Sequence, residues 1–178
     1  AVAGNIGPSL LDTLGKRIKI SELPQVWVLE LSSFQLNDVN DFEPTTGVIL
    51  NVTQDHLDWH EDLSSYIGAK SHVYGKLATM VINRDDEIVM DILVNAKKQN
   101  INRKFCTFGA DLPTRLGDYG LESVNGMTWL VRATSSDDVI VKKQRSLIEP
   151  PIELNMQRLM PTDALQLRGQ HNMLNALA

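Results

Sequence analysis

The chain has 178 residues, 43% apolar and 22% charged, with a formal net charge of −5; that is enough apolar material to bury a substantial core in one domain of ordinary size. The acidic balance and the lack of a basic stripe argue against non-specific partners such as nucleic acid or anionic lipid. No apolar run approaches the roughly 18 to 20 residues of a membrane helix, and Ala1-Val2-Ala3-Gly4-Asn5 has no signal-peptide pattern, so no membrane partner and a cytoplasmic (cytosolic) location are expected.

In chain order, Gly4-Asn5-Ile6-Gly7-Pro8 precedes a short helical pattern with Leu10, Leu11 and Leu14 on one face, closed near Gly15. Gln25 to Leu31 reads as a strand, and Val48-Ile49-Leu50-Asn51-Val52 as a second, buried and parallel, between Pro44-Thr45-Thr46-Gly47 and Thr53-Gln54-Asp55-His56. Ser64-Ser65-Tyr66 opens a helix carrying Ile67, Val73, Tyr74 and Leu77, and Thr79 to Asn83 is the next strand, which completes a βαβ unit. Asp86 to Ala96 is amphipathic and helical, and Phe105 to Phe108 is another short strand. Its Cys106, the single cysteine, reads as a buried, inert thiol.

From Leu112 the texture changes to Gly-punctuated alternation over Tyr119–Val124, Met127–Arg132 and Val139–Val141, with Asn125-Gly126 as a hairpin signal. The expected organisation is an α/β core of mostly parallel strands over about 1–110 and 164–178, with a small antiparallel β segment over about 112–145. Pro150-Pro151 and the stretch to Pro161 read as a loop or insertion, and Gly169-Gln170-His171-Asn172 introduces a final helix over Asn172 to Ala178. The start without methionine and the end inside a helix suggest a cut from a longer polypeptide.

Ligands bind at the carboxyl ends of parallel strands, so the residues there are the candidates for chemistry. Glu30 ends the first strand, where a carboxylate needs a cation or donors; a magnesium ion, a cap on the next turn or an arginine partner would each serve. Asp55-His56-Leu57-Asp58-Trp59-His60 gathers four titratable side chains after the second strand without the spacing of a zinc site. A metal or phosphate role and a structural loop are equally compatible with it. Lys70 reads on composition as a snorkelling lysine, and His72 as an exposed helix residue. Asn5 lies between two glycines, which suits a close ligand or an ordinary turn. His171 and Asn172 stand near a helix start, where donors can face a nucleotide or where Asn172 is simply an N-cap. No Gly-x-x-x-x-Gly-Lys-Ser/Thr phosphate loop occurs in the chain.

Taken together, Gly4-Asn5-Ile6-Gly7, Leu29-Glu30-Leu31-Ser32-Ser33-Phe34-Gln35-Leu36, Asn51-Val52-Thr53-Gln54-Asp55-His56-Leu57-Asp58, Ala69-Lys70 and Gly169-Gln170-His171-Asn172-Met173-Leu174-Asn175-Ala176-Leu177-Ala178 resemble the central domain of the Mur ligases. The Leu-Glu-Leu-Ser-Ser-Phe-Gln-Leu form is similar to that of the D-glutamate-adding branch. Other Mur ligases and folylpolyglutamate synthases share Asp-His and the lysine.

The resemblance implies a P-loop-type Mur ligase central domain from which the P-loop strand and helix are missing, so that the chain alone is expected to be inactive. It implies an ATP-dependent ligase of peptidoglycan synthesis acting on UDP-N-acetylmuramoyl-L-alanine and D-glutamate through an acyl phosphate, as a monomer. By the same resemblance Glu30 and His56 would each bind one of two Mg2+ ions, and Lys70 would react with CO2 to form a carbamate, an anionic metal ligand. These three would be the catalytic residues. Asn5 and Ser32 would face the muramoyl-alanine substrate, and Asn172 and Asn175, with His171 nearby, the adenine of ATP. The competing readings are a non-catalytic nucleotide-sugar-binding domain and a metal-dependent hydrolase built on Asp-His.

Overall fold

The computed structural model describes residues 1–54, 57–99, 102–135 and 153–178, with Leu57 by its backbone alone. Two sheets organise it. The first pairs β1 (Val2–Gly4) in parallel with β2 (Val28–Glu30), in the register Val2↔Val28 to Gly4↔Glu30, with α1 (Leu10–Lys19) as the crossover. The second has six strands in the order β3 (Thr46–Ile49), β4 (Thr79–Asn83), β5 (Phe105–Phe108), β6 (Tyr119–Val124), β7 (Met127–Ser135) and β8 (Leu154–Pro161). Its first four strands run parallel and its last three are joined antiparallel.

Short capped helices make the connections. After β2, α2 (Ser33–Asn37) is capped by Ser32; after β3 come α3 (Leu57–His60), α4 (Leu63–Ser71) and a 3₁₀ turn at His72–Tyr74. Asp62 caps α4, its carboxylate accepting from the Ser65 amide at 2.7 Å. Between β4 and β5, α5 (Glu87–Lys98) begins at the Asp86 cap and ends with Lys97 and Lys98, whose charges complement the helix dipole. A 3₁₀ turn at Thr162–Ala164 and α6 (Gln170–Asn175) complete the chain.

β4 shows why both faces of the larger sheet are covered. Its side chains alternate, so Met80 and Ile82 pack with Ile49, Tyr66, Tyr74, Val89 and Leu93 under α4 and α5. Val81 points the other way, to Phe108, Leu130 and Leu177, with Met173 and Leu174 of α6 packed against that cluster. Full burial of Ile82, Val89 and Phe108 contributes about 1.5–3 kcal/mol each.

Several boundaries differ from the sequence expectation, each for a local reason. α1 runs through Gly15 to Lys19, because one glycine costs a helix only about 1 kcal/mol. β2 is shorter than Gln25–Leu31 because its partner β1 has three residues. β3 starts at Thr46 and stops at Ile49, since Leu50 and Val52 turn their backbone groups to side chains. The stretch to Pro161 read as a loop is, from Leu154, the strand β8. The final helix spans Gln170–Asn175 rather than Asn172–Ala178, entered through Gly169 at φ +102°. Asn125 and Gly126, at φ +52° and +78°, form the expected hairpin turn. Val139–Val141 and Pro150-Pro151 lie outside the described residues.

Candidate functional site

The ends of β1 and β2 form the first part of the site. Gly4 lies beside Glu30 in the parallel register, and the Asn5 amide donates to the Glu30 carbonyl at 2.7 Å. A Cβ on Gly4, at φ +147°, would come within 2.7 Å of the Glu30 nitrogen, so the close approach requires glycine. The Glu30 side chain is exposed and makes no hydrogen bond or ion pair among the described residues. The turn cap and the arginine partner allowed by the sequence are therefore not what holds it. Ser32 follows as the N-cap of α2, in a capping box: its hydroxyl accepts from the Gln35 amide and its own amide donates to Gln35 Oε1 at 2.9 Å. That hydroxyl is thus committed first to the helix start.

The second part lies past β3, where three side chains from three elements converge on three backbone positions. The Asn83 side-chain amide donates to the Leu50 carbonyl at 2.7 Å, the Val52 amide donates to an Asp86 oxygen at 2.8 Å, and Lys70 donates to the Asn51 carbonyl at 3.3 Å. The other Asp86 oxygen caps α5 through the Val89 amide. The Lys70 ammonium also sits 5.0 Å from the centre of the Tyr66 ring, a cation–π contact. Neither Asn83 nor Asp86 stood out in the sequence, although the run Asn83-Arg84-Asp85-Asp86 directly after a buried strand was the available signal.

Asp55 and His56 lie outside the described residues, and Asp58 is exposed. His60 is buried, its Nε2 2.8 Å from the Ser33 hydroxyl. His72 is exposed, as expected, with Nδ1 donating to the Leu36 carbonyl at 2.7 Å.

α6 is on the opposite face of the sheet from Lys70. There the Asn172 side-chain amide donates to the Arg168 carbonyl at 2.7 Å, while His171 and Asn175 are exposed. The His171 ring covers Gly169 so closely that a Cβ there would come within 2.9 Å of it. The structure thus brings Asn5, Glu30 and Ser32 together and places Lys70 at the end of β3. No hydrogen bond or ion pair links these groups to α6 among the described residues. A cleft of about 220 Å3 lined by Phe42, Glu43, His72 and Lys76 lies where the chain enters β3 and β4, away from these strand ends.

These residues suit magnesium better than a metal held by protein alone. Among the described residues no group of three or more His, Cys, Asp or Glu side chains could hold a metal. Magnesium usually keeps several waters and takes one or two carboxylates beside substrate phosphates, and the uncommitted Glu30 carboxylate meets that requirement. No helix among the described residues is long and apolar enough to cross a membrane.

The Mur ligase middle domain family matches residues 8–178. The UDP-N-acetylmuramoylalanine--D-glutamate ligase of Polaromonas sp. is 55% identical over 182 aligned residues, covering 100% of this chain and 30% of that protein. The proteins of the same name from Albidiferax ferrireducens and Paraburkholderia phymatum are 54% and 48% identical, again over the whole chain and over 35% and 36% of their own lengths. The chain therefore spans about a third of these relatives. A solved UDP-N-acetylmuramoyl-L-alanyl-D-glutamate--2,6-diaminopimelate ligase superposes with a TM-score of 0.52 over 75% of this chain and 31% of its own, at 20% identity, a likeness of fold alone.

Proposed function

The chain belongs to the Mur ligase family as a middle domain, and on that premise we propose that it is the central part of an ATP-dependent ligase joining D-glutamate to UDP-N-acetylmuramoyl-L-alanine. The observation that carries this reading is identity of about half, end to end, with proteins named for that reaction. The full-length protein works as a cytoplasmic monomer in peptidoglycan synthesis.

In this reading the substrate carboxylate attacks the γ-phosphorus of ATP and ADP leaves, giving an acyl phosphate. The amine of D-glutamate then attacks the acyl carbon, phosphate departs and the nitrogen loses a proton. Two bound magnesium ions would neutralise the repulsion between carboxylate and polyphosphate. Glu30, free of other partners among the described residues, would hold one of them, and His56 would hold the other. Asn5 is fixed to the Glu30 carbonyl and faces the muramoyl-alanine end of the substrate. Ser32, which caps α2, would meet the same ligand, and His171, Asn172 and Asn175 would receive the adenine.

Lys70 changes charge. Its nitrogen, after losing one proton, bonds to the carbon of CO2 and then loses a second proton to water, and the resulting anionic carbamate moves away from the Asn51 carbonyl and the Tyr66 ring, both of which favour a cation. The test is phosphate release by the full-length protein, dependent on D-glutamate. Lys70→Ala should lose most of the activity and regain part of it with added short-chain carboxylates. A fully active alanine variant removes Lys70 from the mechanism, and a wild-type protein indifferent to D-glutamate overturns the reading.

A further inference from the structure

Among the described residues the two sheets share no strand pairing, yet Glu30 is carried by one and Lys70 by a crossover of the other. A site built from both needs their relative position held to about 0.5 Å. Across the seam α2 packs on α4 and on the 3₁₀ turn after it, and Phe34 and Ser33 of α2 also meet Trp59 and His60 of α3. The α3 side of this seam holds a buried polar pair: His60 Nε2 and Ser33 Oγ, 2.8 Å apart, on residues each 3% exposed.

Aromatic rings enclose this pair. Phe34 stacks on the His60 imidazole at 5.6 Å and 11°, while Trp59 stands edge-on to both rings. On its other side His60 meets Tyr66 at 5.2 Å, and the Lys70 ammonium lies over that same ring. Ser33 directly follows Ser32, the cap of α2, three residues after Glu30. A continuous path therefore runs from the Glu30 turn through Ser33, His60 and Tyr66 to Lys70. A histidine serving only as core filler would not have to bond to the residue that follows the cap.

We propose that His60 is a positioning residue, which locks the Glu30–Ser32 turn to the helix carrying Lys70 through Ser33 and Tyr66 and never touches substrate. The inference rests on the ligase reading above. Displacement of about 1 Å at a reacting centre costs roughly 100-fold in rate, so a loosened seam is read in kcat.

The test uses the full-length protein with Ser33→Ala, His60→Phe and His60→Gln. Phenylalanine keeps the stacking and loses the hydrogen bond, whereas the glutamine amide reaches the place of Nε2 and keeps it. Expected are a fall in kcat of about 10- to 100-fold for Ser33→Ala and His60→Phe at nearly unchanged KM for ATP, recovery of most of it by His60→Gln, and a double variant no worse than either single one. If a folded His60→Gln is as poor as His60→Phe, or if the two losses multiply, the proposal is overturned.

Amide exchange on the same samples separates this failure from failure of the ligase reading. Should the wild-type protein release no D-glutamate-dependent phosphate, faster exchange in α2 with α4 and β4 unchanged in Ser33→Ala and His60→Phe still supports the lock. Unchanged exchange in α2 overturns it.

Discussion

Asp86 spans two elements with one carboxylate, and replacing it by serine separates its two roles. One oxygen accepts from the Val89 amide at 3.0 Å and starts α5; the other accepts from Val52, 5% exposed, at 2.8 Å. Serine is as good an N-cap as aspartate, but its hydroxyl is too short to reach a second element. Asp86→Ser should leave α5 intact and strip the Val52 amide of its acceptor. A hydrogen bond to a charged group contributes about 1.5–3 kcal/mol, so exchange of the Val52 amide should accelerate by roughly 10- to 140-fold, at 1.4 kcal/mol per factor of ten. Asp86→Ala should in addition lose about 0.5–2 kcal/mol of capping, speeding the Val89 amide by roughly 2- to 27-fold on the same scale. Residue-resolved amide exchange on the full-length protein reads both sites at once. If the Val52 amide is unmoved by Asp86→Ser, or the Val89 amide accelerates equally, the clamp on residues 50–52 is not what holds this backbone.

Gly4→Ala forces a Cβ into the Glu30 backbone at φ +147°, a strain of about 1–3 kcal/mol; the thermal midpoint should fall and the magnesium concentration for half-maximal activity should rise, and an unmoved midpoint refutes the close approach. Burial, reinforced by the Asp118 carboxylate and partly offset by Arg115 and Arg132, raises the Cys106 thiol above its ordinary range, so it should be alkylated more slowly in the folded protein than in denaturant at the same pH. Equal rates would show an open thiol. The Ser65 amide holds the exposed Asp62 carboxyl below its ordinary 3.8. A depressed carboxylate stabilises the folded state above that value and loses its effect as pH falls through the lower folded value. The advantage of the wild type over Asp62→Asn should therefore vanish on acidification below 3.8, as read from denaturation midpoints, and a constant difference would contradict it.

The parallel core was legible because its strands are short apolar runs that end at turn residues, and β4 is buried along nearly its whole length. β8 was not, for two reasons that act together. Leu154–Pro161 carries the polar Asn155, Gln157 and Arg158 and forms the edge of the sheet, and a register shift between Leu130 and Val131 of its partner breaks the period-two pattern. At the site, the strand-end rule was enough to single out Glu30, but the partners of Asn83, Asp86 and His60 are 33, 34 and 27 residues away. Such pairings leave no local periodicity to read. Within the Asp55–His60 run the sequence left a ligand role and a structural one equally open, and for His60 the structure shows burial against Ser33.

The seam between the sheets explains why these side-chain bonds carry so much of the geometry. Strands of three residues and a helix of five have little stability of their own, and Val2, Val26 and Val28 remain 58–68% exposed. The unit bearing Asn5 and Glu30 therefore draws its placement less from its own hydrogen-bond ladder than from what α2 touches. Leu36 supplies the apolar part of that contact, at 3% exposure. Ser33 and the Leu36 carbonyl supply the directional part, each held by a histidine from the other side. An apolar contact alone tolerates sliding and rotation, whereas two hydrogen bonds at separate points on one short helix fix both. The orientation of Glu30 toward the helix of Lys70 is thus set by side chains that belong to neither strand end.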